Sequence, residues 1–202
     1  MRTAAVLGII ALLLGAACWA RQGPLPGDVA ITQGMQALLG TQPGWAFALT
    51  SSAVLPLVAA TLLAGATLGW WLRGGSGAVA TVLAYGLALL ADMALRAAVF
   101  VVRPAEPLVA VAAPSVSSGL PSTFGLVYGA IFGVALLAGT TAARAAWLVR
   151  LIAAAALITG SGARVVLGGH WASQMIASVA FGLLLALLAA GATSRARRLR
   201  TV

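Results

Sequence analysis

The chain is divided into long apolar runs that carry almost no charge, and this pattern limits the possible folds more than any other feature. Of 202 residues, 62% are hydrophobic and only 7% are charged, with a mean hydropathy of +1.07. These values exclude an ordinary soluble domain and indicate an all-α, multi-pass membrane protein. A helix that crosses a bilayer needs about 20 apolar residues. By that length we predict one integral membrane domain over 1–202, a bundle of six transmembrane helices at 3–20, 44–72, 76–102, 121–143, 146–165 and 170–193.

Short polar or glycine-rich segments separate neighbouring spans, at 74–77, 140–144 and 168–169. Between the first two spans, residues 28–42 alternate apolar and polar side chains with helical spacing. This pattern predicts a short helix that lies at the membrane interface, with Asp28 as its N-cap. Residues 194–202 contain four arginines and predict a basic cytoplasmic tail.

The placement of the arginines predicts the orientation in the membrane. With the N-terminus in the cytoplasm, eight of the twelve arginines lie on the cytoplasmic side and four outside, as the positive-inside rule requires. We expect a bacterial-type inner (plasma) membrane protein with both termini in the cytoplasm. Residues 1–20 also resemble a signal peptide, and their removal would leave five spans. The net charge is +9, but the arginines do not form a basic face on a soluble domain, so no nucleic-acid partner is expected. Cys18 is the single cysteine, which excludes an internal disulfide.

Three of the four outer arginines lie near the ends of apolar spans, where charge is costly and indicates a functional site. Arg96 and Arg103 form the first of three sequence blocks, R-x6-R-P, which ends at Pro104. Their spacing predicts one helix face with about 10 Å between them along the axis. Guanidinium groups suit phosphate oxygens because they donate two parallel hydrogen bonds. The alternative is a pair of arginines that merely extend to the interface from a helix end.

The second block, P-S-T-F at 121–124, opens the fourth predicted span. A proline at the first helical position leaves the following amides free, and the helix dipole favours an anion there. Ser122 and Thr123 add hydroxyl donors, and the serines of 115–118 make a polar approach loop. An ordinary capped helix start would show the same residues.

The third block, R-x5-H-x3-Q, contains Arg164, His170 and Gln174 around the glycine pair Gly168-Gly169. Gln174 lies one helical turn after His170, so its amide oxygen could accept the Nδ1–H of the imidazole. Nε2 would then be free to attack phosphorus. A lone histidine at a membrane interface is otherwise typical of a structural role. The three blocks together favour a phosphate site on the outer face.

In this order the blocks resemble those of the phosphatidic acid phosphatase type 2 (PAP2) superfamily of membrane lipid phosphatases. That family reads K-x6-R-P, P-S-G-H and S-R-x5-H-x3-D on a six-span helical fold, and the motif resemblance covers residues 96–174 here. It implies a histidine nucleophile that forms a phosphohistidine, and side chains that bind the substrate phosphate. The implied residues are His170 as nucleophile, Gln174 at the orienting position, and Arg96, Arg103, Ser122, Thr123 and Arg164 at phosphate-binding positions.

Several positions depart from the family pattern. Arg96 replaces its lysine, Gln174 its orienting aspartate, and Phe124 the histidine that acts as general acid; Ala163 also replaces the serine before Arg164. General acid catalysis is worth ~10²–10⁴ in rate, and phenylalanine cannot donate a proton. Thr123, Tyr128 or a water are alternative donors.

A phosphate that leaves from a diphosphate is a stable anion and needs little protonation. We therefore expect a phosphohydrolase that acts on a phosphorylated membrane lipid, preferably a polyprenyl diphosphate, with no metal and no other cofactor. A non-catalytic relative that binds lipid phosphate and a lipid phosphotransferase are the alternatives. The sequence shows no inverted repeat that would favour a channel or transporter.

Overall fold

The structure, a computed structural model, describes residues 2–137 and 146–199, and every regular element within these ranges is an α-helix. The predicted break at 140–144 and the last residues of the basic tail, 200–202, lie outside the described residues. The helices are α1 (Arg2–Arg21), α2 (Asp28–Leu39), α3 (Gly44–Ser51), α4 (Leu57–Arg73), α5 (Gly75–Ala98), α6 (Thr123–Leu137), α7 (Ala146–Val166) and α8 (Ala172–Leu199).

Four of the described helices are long and apolar enough to cross a membrane, namely α1, α5, α7 and α8 up to Arg197. The helices α4 and α6 are apolar but shorter. Large apolar side chains point outward on several helices, such as Leu12, Leu63, Met93 and Ile158, each at least 70% exposed. Such a surface suits contact with lipid chains, so the all-α, multi-pass membrane architecture is confirmed. The count of six spans stays a prediction.

The second predicted span, 44–72, is two helices rather than one. Helix α3 ends at Ser51 and α4 begins at Leu57, with Pro56 immediately before it. Proline has no amide hydrogen and clashes with the preceding turn, so it stops a helix that approaches it. The carbonyl of Ser52, which the break would leave unpaired, accepts a hydrogen bond from the Thr61 hydroxyl at 2.7 Å. This hydrogen bond satisfies one carbonyl that the break would otherwise leave without a partner.

The third predicted span, 76–102, also ends earlier, at Ala98. Val99 is extended, and the amide of Val101 donates to the Ser118 hydroxyl at 3.0 Å. The Val101 carbonyl in turn accepts from the Gly119 amide at 2.7 Å. Because these bonds hold the chain extended beside 117–119, Arg103 lies in a loop after the helix and not two turns along it. The predicted shared helix face for Arg96 and Arg103 is wrong.

Helix α6 is the centre of the bundle and packs against α4, α5, α7 and α8. All its residues from Phe124 to Ala135 are buried, as expected of a helix that is apolar on every side. Its closest approach is to α8, where Gly129 and Gly182 face each other. A Cβ added to Gly182 would lie 2.3 Å from the Leu126 carbonyl oxygen. Small residues thus let the two backbones touch, a frequent packing mode between membrane helices.

Helix α2 is hydrogen-bonded to the end of α7, to the start of α8 and to the loop that contains Arg103. The Gln36 amide nitrogen donates to the carbonyls of Ala110 (2.8 Å) and Val166 (2.9 Å). Asp28 is buried and does not cap its own helix, whose N-cap is Gly27. Its carboxylate instead accepts from the amide (2.9 Å) and hydroxyl (2.6 Å) of Ser173 in the first turn of α8. A negative charge at that helix start is favourable, and it fixes α8 three residues after His170.

Candidate active site

The C-terminal ends of α5 and α7, the start of α6 and two connecting loops meet around a cavity of about 290 Å³. Helix α3 and the break that follows it complete the wall. The described lining residues are Thr50, Ala53, Val54, Arg96, Arg103, Ser117, Thr123, Phe124, Arg164 and His170. The three motif arginines, Thr123 and His170 are therefore brought together, although the sequence distributes them over 75 positions, from 96 to 170.

Arg96, in the last turn of α5, is oriented by three partners. Its Nε lies 3.0 and 3.2 Å from the carboxylate oxygens of Asp92, one turn earlier. Its Nη2 donates to the Pro121 carbonyl (3.0 Å) and to the Thr123 hydroxyl (2.6 Å). The guanidinium thus joins the first block to the second.

Arg103 joins the first block to the third. Its Nε and Nη2 donate to the carbonyl (2.8 Å) and hydroxyl (2.9 Å) of Ser117, while Nη1 donates to the Gly169 carbonyl at 3.0 Å. Nη1 also lies 3.3 Å from Nε2 of His170. Burial, followed by the charges of Arg164 and Arg96, lowers the pKa of Arg103 to about 10, so it is still a cation at pH 7.

Arg164, in the last turn of α7, is the least satisfied of the three arginines. Its Nε is buried and has no hydrogen-bond partner among the described residues. The guanidinium lies against Gly169, where an added Cβ would come within 3.2 Å of its Cζ and Nη2. No carboxylate is among the described residues that line the cavity. A buried donor without an acceptor is costly, and an anionic ligand would satisfy it.

His170 is 1% exposed and presents one defined tautomer to the cavity. Its Nδ1 lies 2.9 Å from the Gly119 carbonyl, which can only accept, so Nδ1 carries the proton. Burial, then the charges of Arg103 and Arg164, holds the pKa of His170 well below its ordinary value. The imidazole is therefore neutral at pH 7, and the lone pair of Nε2 faces Arg103.

Gln174 does not make the hydrogen bond to His170 that the sequence predicts. Its amide nitrogen donates to the Val102 carbonyl at 2.8 Å, and its amide oxygen accepts from the Trp171 amide at 3.2 Å. The amide lies against Gly119, where an added Cβ would be 2.7 Å from Nε2 of Gln174. Gln174 thus supports the loop whose carbonyl orients the imidazole, and it is not among the described lining residues. The orienting group is a backbone carbonyl because the 117–119 segment comes between the two side chains.

Ser122 also lies outside the described cavity lining. It is fully buried, and its amide donates to the Ser178 hydroxyl at 2.8 Å. Its carbonyl accepts from the Leu126 amide (2.9 Å) and its hydroxyl from the Gly125 amide (3.4 Å), so Ser122 caps α6. The predicted helix start at Pro121 is therefore two residues too early. The first-turn amides of Thr123 and Phe124 have no intrahelical acceptor, and these two residues line the cavity.

Phe124 fills the position of the family's general acid with an apolar ring. It is 5% exposed and stacks on Tyr128, with ring centroids 4.1 Å apart. Gly160 leaves room for the ring, because a Cβ there would lie 2.8 Å from its Cε1 and Cζ. Tyr128, one of the alternative proton donors, hydrogen-bonds with Ser52 and is not among the described lining residues. Thr123 does line the cavity, but its hydroxyl donates to Asp92 at 2.8 Å.

Sequence reasoning missed two groups of this site, Asp92 and Gly119. Asp92 had a signal, since it is an acidic residue inside an apolar span and precedes Arg96 by one helical turn. Gly119 had none, because its contribution is a backbone carbonyl that any residue type carries. Ser117 was predicted only as part of an approach loop, and it holds Arg103.

The fold is that of the transmembrane PAP2-type phosphatases, in agreement with the sequence resemblance. The chain is similar to one such solved structure, described as the crystal structure of the first transmembrane PAP2 type phosphatidylglycerolphosphate phosphatase from Bacillus subtilis. The TM-score is 0.74 at 20% identity, over 96% of this chain and 98% of that chain. No protein-family model matches the sequence, and no curated protein matches it. At this identity the likeness establishes the fold alone.

Proposed function

We propose that the protein is a membrane phosphohydrolase that acts on a lipid phosphate, preferably a polyprenyl diphosphate, through a phosphohistidine intermediate. One observation carries the proposal: the unprotonated Nε2 of His170 faces a cavity that three arginine guanidinium groups share. A nucleophile beside a set of fixed cations is the arrangement that phosphoryl transfer requires. The fold and the resemblance in the three blocks support the same reaction class.

In this mechanism the terminal phosphate binds between Arg96, Arg103 and Arg164. Nε2 of His170 forms a bond to phosphorus while the bond from phosphorus to the leaving oxygen breaks. The imidazole becomes cationic, and its Nδ1–H remains bonded to the Gly119 carbonyl, which stabilises the charge. Water then attacks the phosphohistidine, inorganic phosphate leaves, and Nε2 regains its lone pair.

The apolar ring of Phe124 supports the preference for a diphosphate. Among the described residues that line the cavity, His170 is the nucleophile and no carboxyl or second imidazole is present to protonate a leaving group. An alkoxide from a monoester needs such a proton, whereas a phosphate that leaves from a diphosphate does not. A polyprenyl monophosphate is therefore the leaving group that this cavity suits.

Replacement of Phe124 by histidine tests the leaving-group argument. We expect Phe124→His to raise kcat/KM for phosphatidate by at least ~10-fold, because a proton donor then faces the leaving oxygen. The value for polyprenyl diphosphate should change by less than ~3-fold, since that leaving group gains little. The measurement is phosphate release from each lipid in detergent. Phe124→Leu is the matched control, as it changes the ring without adding a donor, and an equal gain in that variant would contradict the argument.

A non-catalytic protein that binds lipid phosphate is the second candidate, and two observations favour it. Phe124 occupies the general-acid position, and His170 is oriented by a neutral carbonyl rather than by a carboxylate. A carboxylate would stabilise the imidazolium form, and in a serine protease triad the loss of this carboxylate lowers the rate by ~10⁴-fold. This candidate retains the arginines as its binding site.

Trapping of the intermediate separates the candidates. Purified protein is mixed with polyprenyl diphosphate labelled in its terminal phosphate, quenched in alkali and digested. A labelled peptide that contains His170, together with released phosphate, supports the phosphohydrolase. Binding without label or phosphate release supports the non-catalytic candidate. Label with transfer to an added lipid alcohol and no free phosphate would instead indicate a phosphotransferase.

The orientation in the membrane is part of the proposal: the cavity on the outer face, both termini in the cytoplasm, and a bacterial-type inner membrane. The three motif arginines lie at one end of the bundle, whereas Arg73 binds Ser194 at the other end. Val116, in the loop beside the cavity, is 98% exposed. We expect a membrane-impermeant maleimide to label Val116→Cys in intact spheroplasts and Ala196→Cys only after lysis. Equal labelling of both before lysis, or the reverse pattern, would contradict this orientation.

A further inference from the structure

Asp92 is an acidic side chain inside an apolar helix and contributes nothing to the mechanism above. It is 14% exposed, and its carboxylate meets Nε of Arg96 at 3.0 and 3.2 Å. A carboxylate at membrane depth is costly unless it is paired and hydrogen-bonded. Its full set of partners therefore indicates what it does.

Asp92, Arg96 and Thr123 form a closed triangle of hydrogen bonds. The Thr123 hydroxyl donates to Oδ1 of Asp92 at 2.8 Å and accepts from Nη2 of Arg96 at 2.6 Å. Nη2 also donates to the Pro121 carbonyl at 3.0 Å. Nε and Nη2 are thus both occupied by protein groups. Nη1 has no hydrogen bond to any described residue, and Arg96 lines the cavity.

We propose that Asp92 is a positioning residue that fixes the plane of the Arg96 guanidinium, so that Nη1 is the nitrogen offered to the substrate phosphate. The inference rests on the proposed function. It explains how an arginine serves at position 96, where the resemblance places a lysine. A lysine ammonium is a compact charge that needs no particular plane, whereas a planar guanidinium must be oriented to place one nitrogen. Thr123 extends the same constraint from α5 to the start of α6.

The alternative is an ion pair that only stabilises the bundle, and a double-mutant cycle separates the two roles. Phosphate release from polyprenyl diphosphate is measured for the wild type, Asp92→Asn, Arg96→Ala and the double variant. We expect kcat/KM to fall ~10-fold for Asp92→Asn and ~100-fold for Arg96→Ala, because charge-assisted contacts to a transition state are strong. The double variant should lie within ~2-fold of Arg96→Ala, since Asp92 acts only through Arg96.

Additional variants keep the test independent of folding. Asp92→Glu retains a carboxylate one turn from Arg96 and should recover most of the lost activity. Thr123→Val keeps the side-chain shape but removes the bridging hydroxyl, and its ~3–10-fold loss should vanish in the Arg96→Ala background. Arg21→Gln is the matched cation control, because Arg21 is exposed and binds the nearby Pro24 carbonyl.

Two outcomes would overturn the role of Asp92 without affecting the proposed function. One is an unchanged kcat/KM in Asp92→Asn, and the other is a double variant in which the losses of the two single variants multiply. If the wild type binds lipid phosphate without turnover, the same cycle is measured on the Kd for phosphatidate in nanodiscs, with the same coupling expected. A wild type that neither hydrolyses nor binds these lipids would overturn the proposed function, and this inference with it.

Discussion

His170→Ala is expected to abolish phosphate release, with a fall in kcat of about 10⁴-fold or more, because the variant lacks the imidazole that attacks phosphorus and no second imidazole is among the described lining residues. Lipid binding should survive. The phosphate contacts come from the arginines, and of these only Arg103 bonds to His170, through Nη1, which also donates to the Gly169 carbonyl. The Kd for phosphatidate in nanodiscs should therefore stay within ~3-fold of the wild-type value. Phosphate release and equilibrium binding on the same preparation check both halves of the prediction.

A second nucleophile variant controls for disturbance of the loop. His170→Gln keeps a polar group near the Gly119 carbonyl but cannot form a phosphohistidine, so it should be as inactive as His170→Ala. Equally slow phosphate release by the wild type and both variants would contradict the phosphohydrolase proposal and favour the non-catalytic candidate. A large loss of lipid binding in both variants would show that the imidazole itself contributes to binding the phosphate.

Arg164→Met is expected to lower kcat/KM by ~10²–10³-fold and yet to make the ligand-free protein more stable. The activity falls because a preorganised cation is removed from the developing phosphoryl charge. The stability rises because Nε of Arg164 is buried without a hydrogen-bond partner among the described residues, and methionine fills similar space without that cost. We expect a gain of about 1–3 kcal/mol in the free energy of unfolding. Thermal unfolding in detergent and phosphate release measure the two effects.

Arg21→Met provides the matched comparison, since it also removes an arginine predicted to lie on the outer side, but one that is exposed and lies outside the cavity. Its activity should match the wild type, and its stability should change by less than about 0.5 kcal/mol. A destabilised Arg164→Met that retains its activity would contradict the phosphate role. In that case Arg164 would be a structural residue at a helix end.

Much of the fold could be predicted from hydropathy because length and apolar composition decide whether a helix can span a bilayer. The predicted spans 3–20 and 146–165 differ by one residue at each end, at most, from Arg2–Arg21 and Ala146–Val166. The failures occurred where local chemistry interrupts an apolar run. Pro56 splits the second span, and the backbone pairing of Val101 with Gly119 ends the third span early. Hydropathy averages over a window and does not respond to a single proline or to a remote hydrogen bond.

The site residues were predictable to the extent that their side chains are chemically unusual in a membrane. Arginine and histidine near span ends carry a cost, so Arg96, Arg103, Arg164 and His170 could be selected from the sequence before any geometry was known. Their meeting in one cavity agrees with that selection, while their roles stay predictions. Ser122 was selected as a hydroxyl at a helix start and Gln174 from its spacing of one helical turn after His170, and side-chain orientation places both outside the described cavity lining.

Residue types alone were enough to predict an all-helical membrane chain with a cationic, histidine-containing site, because apolar length and misplaced charge are properties of residue types. How the side chains of that site are held in place depends on the fold. The Gly119 carbonyl selects the imidazole tautomer, Asp92 and Thr123 hold the Arg96 guanidinium, and Arg164 is left with a buried, unpartnered donor. These are matters of distance and direction between segments remote in the chain, or of backbone groups that every residue shares. For that reason spacing along the sequence could not specify them.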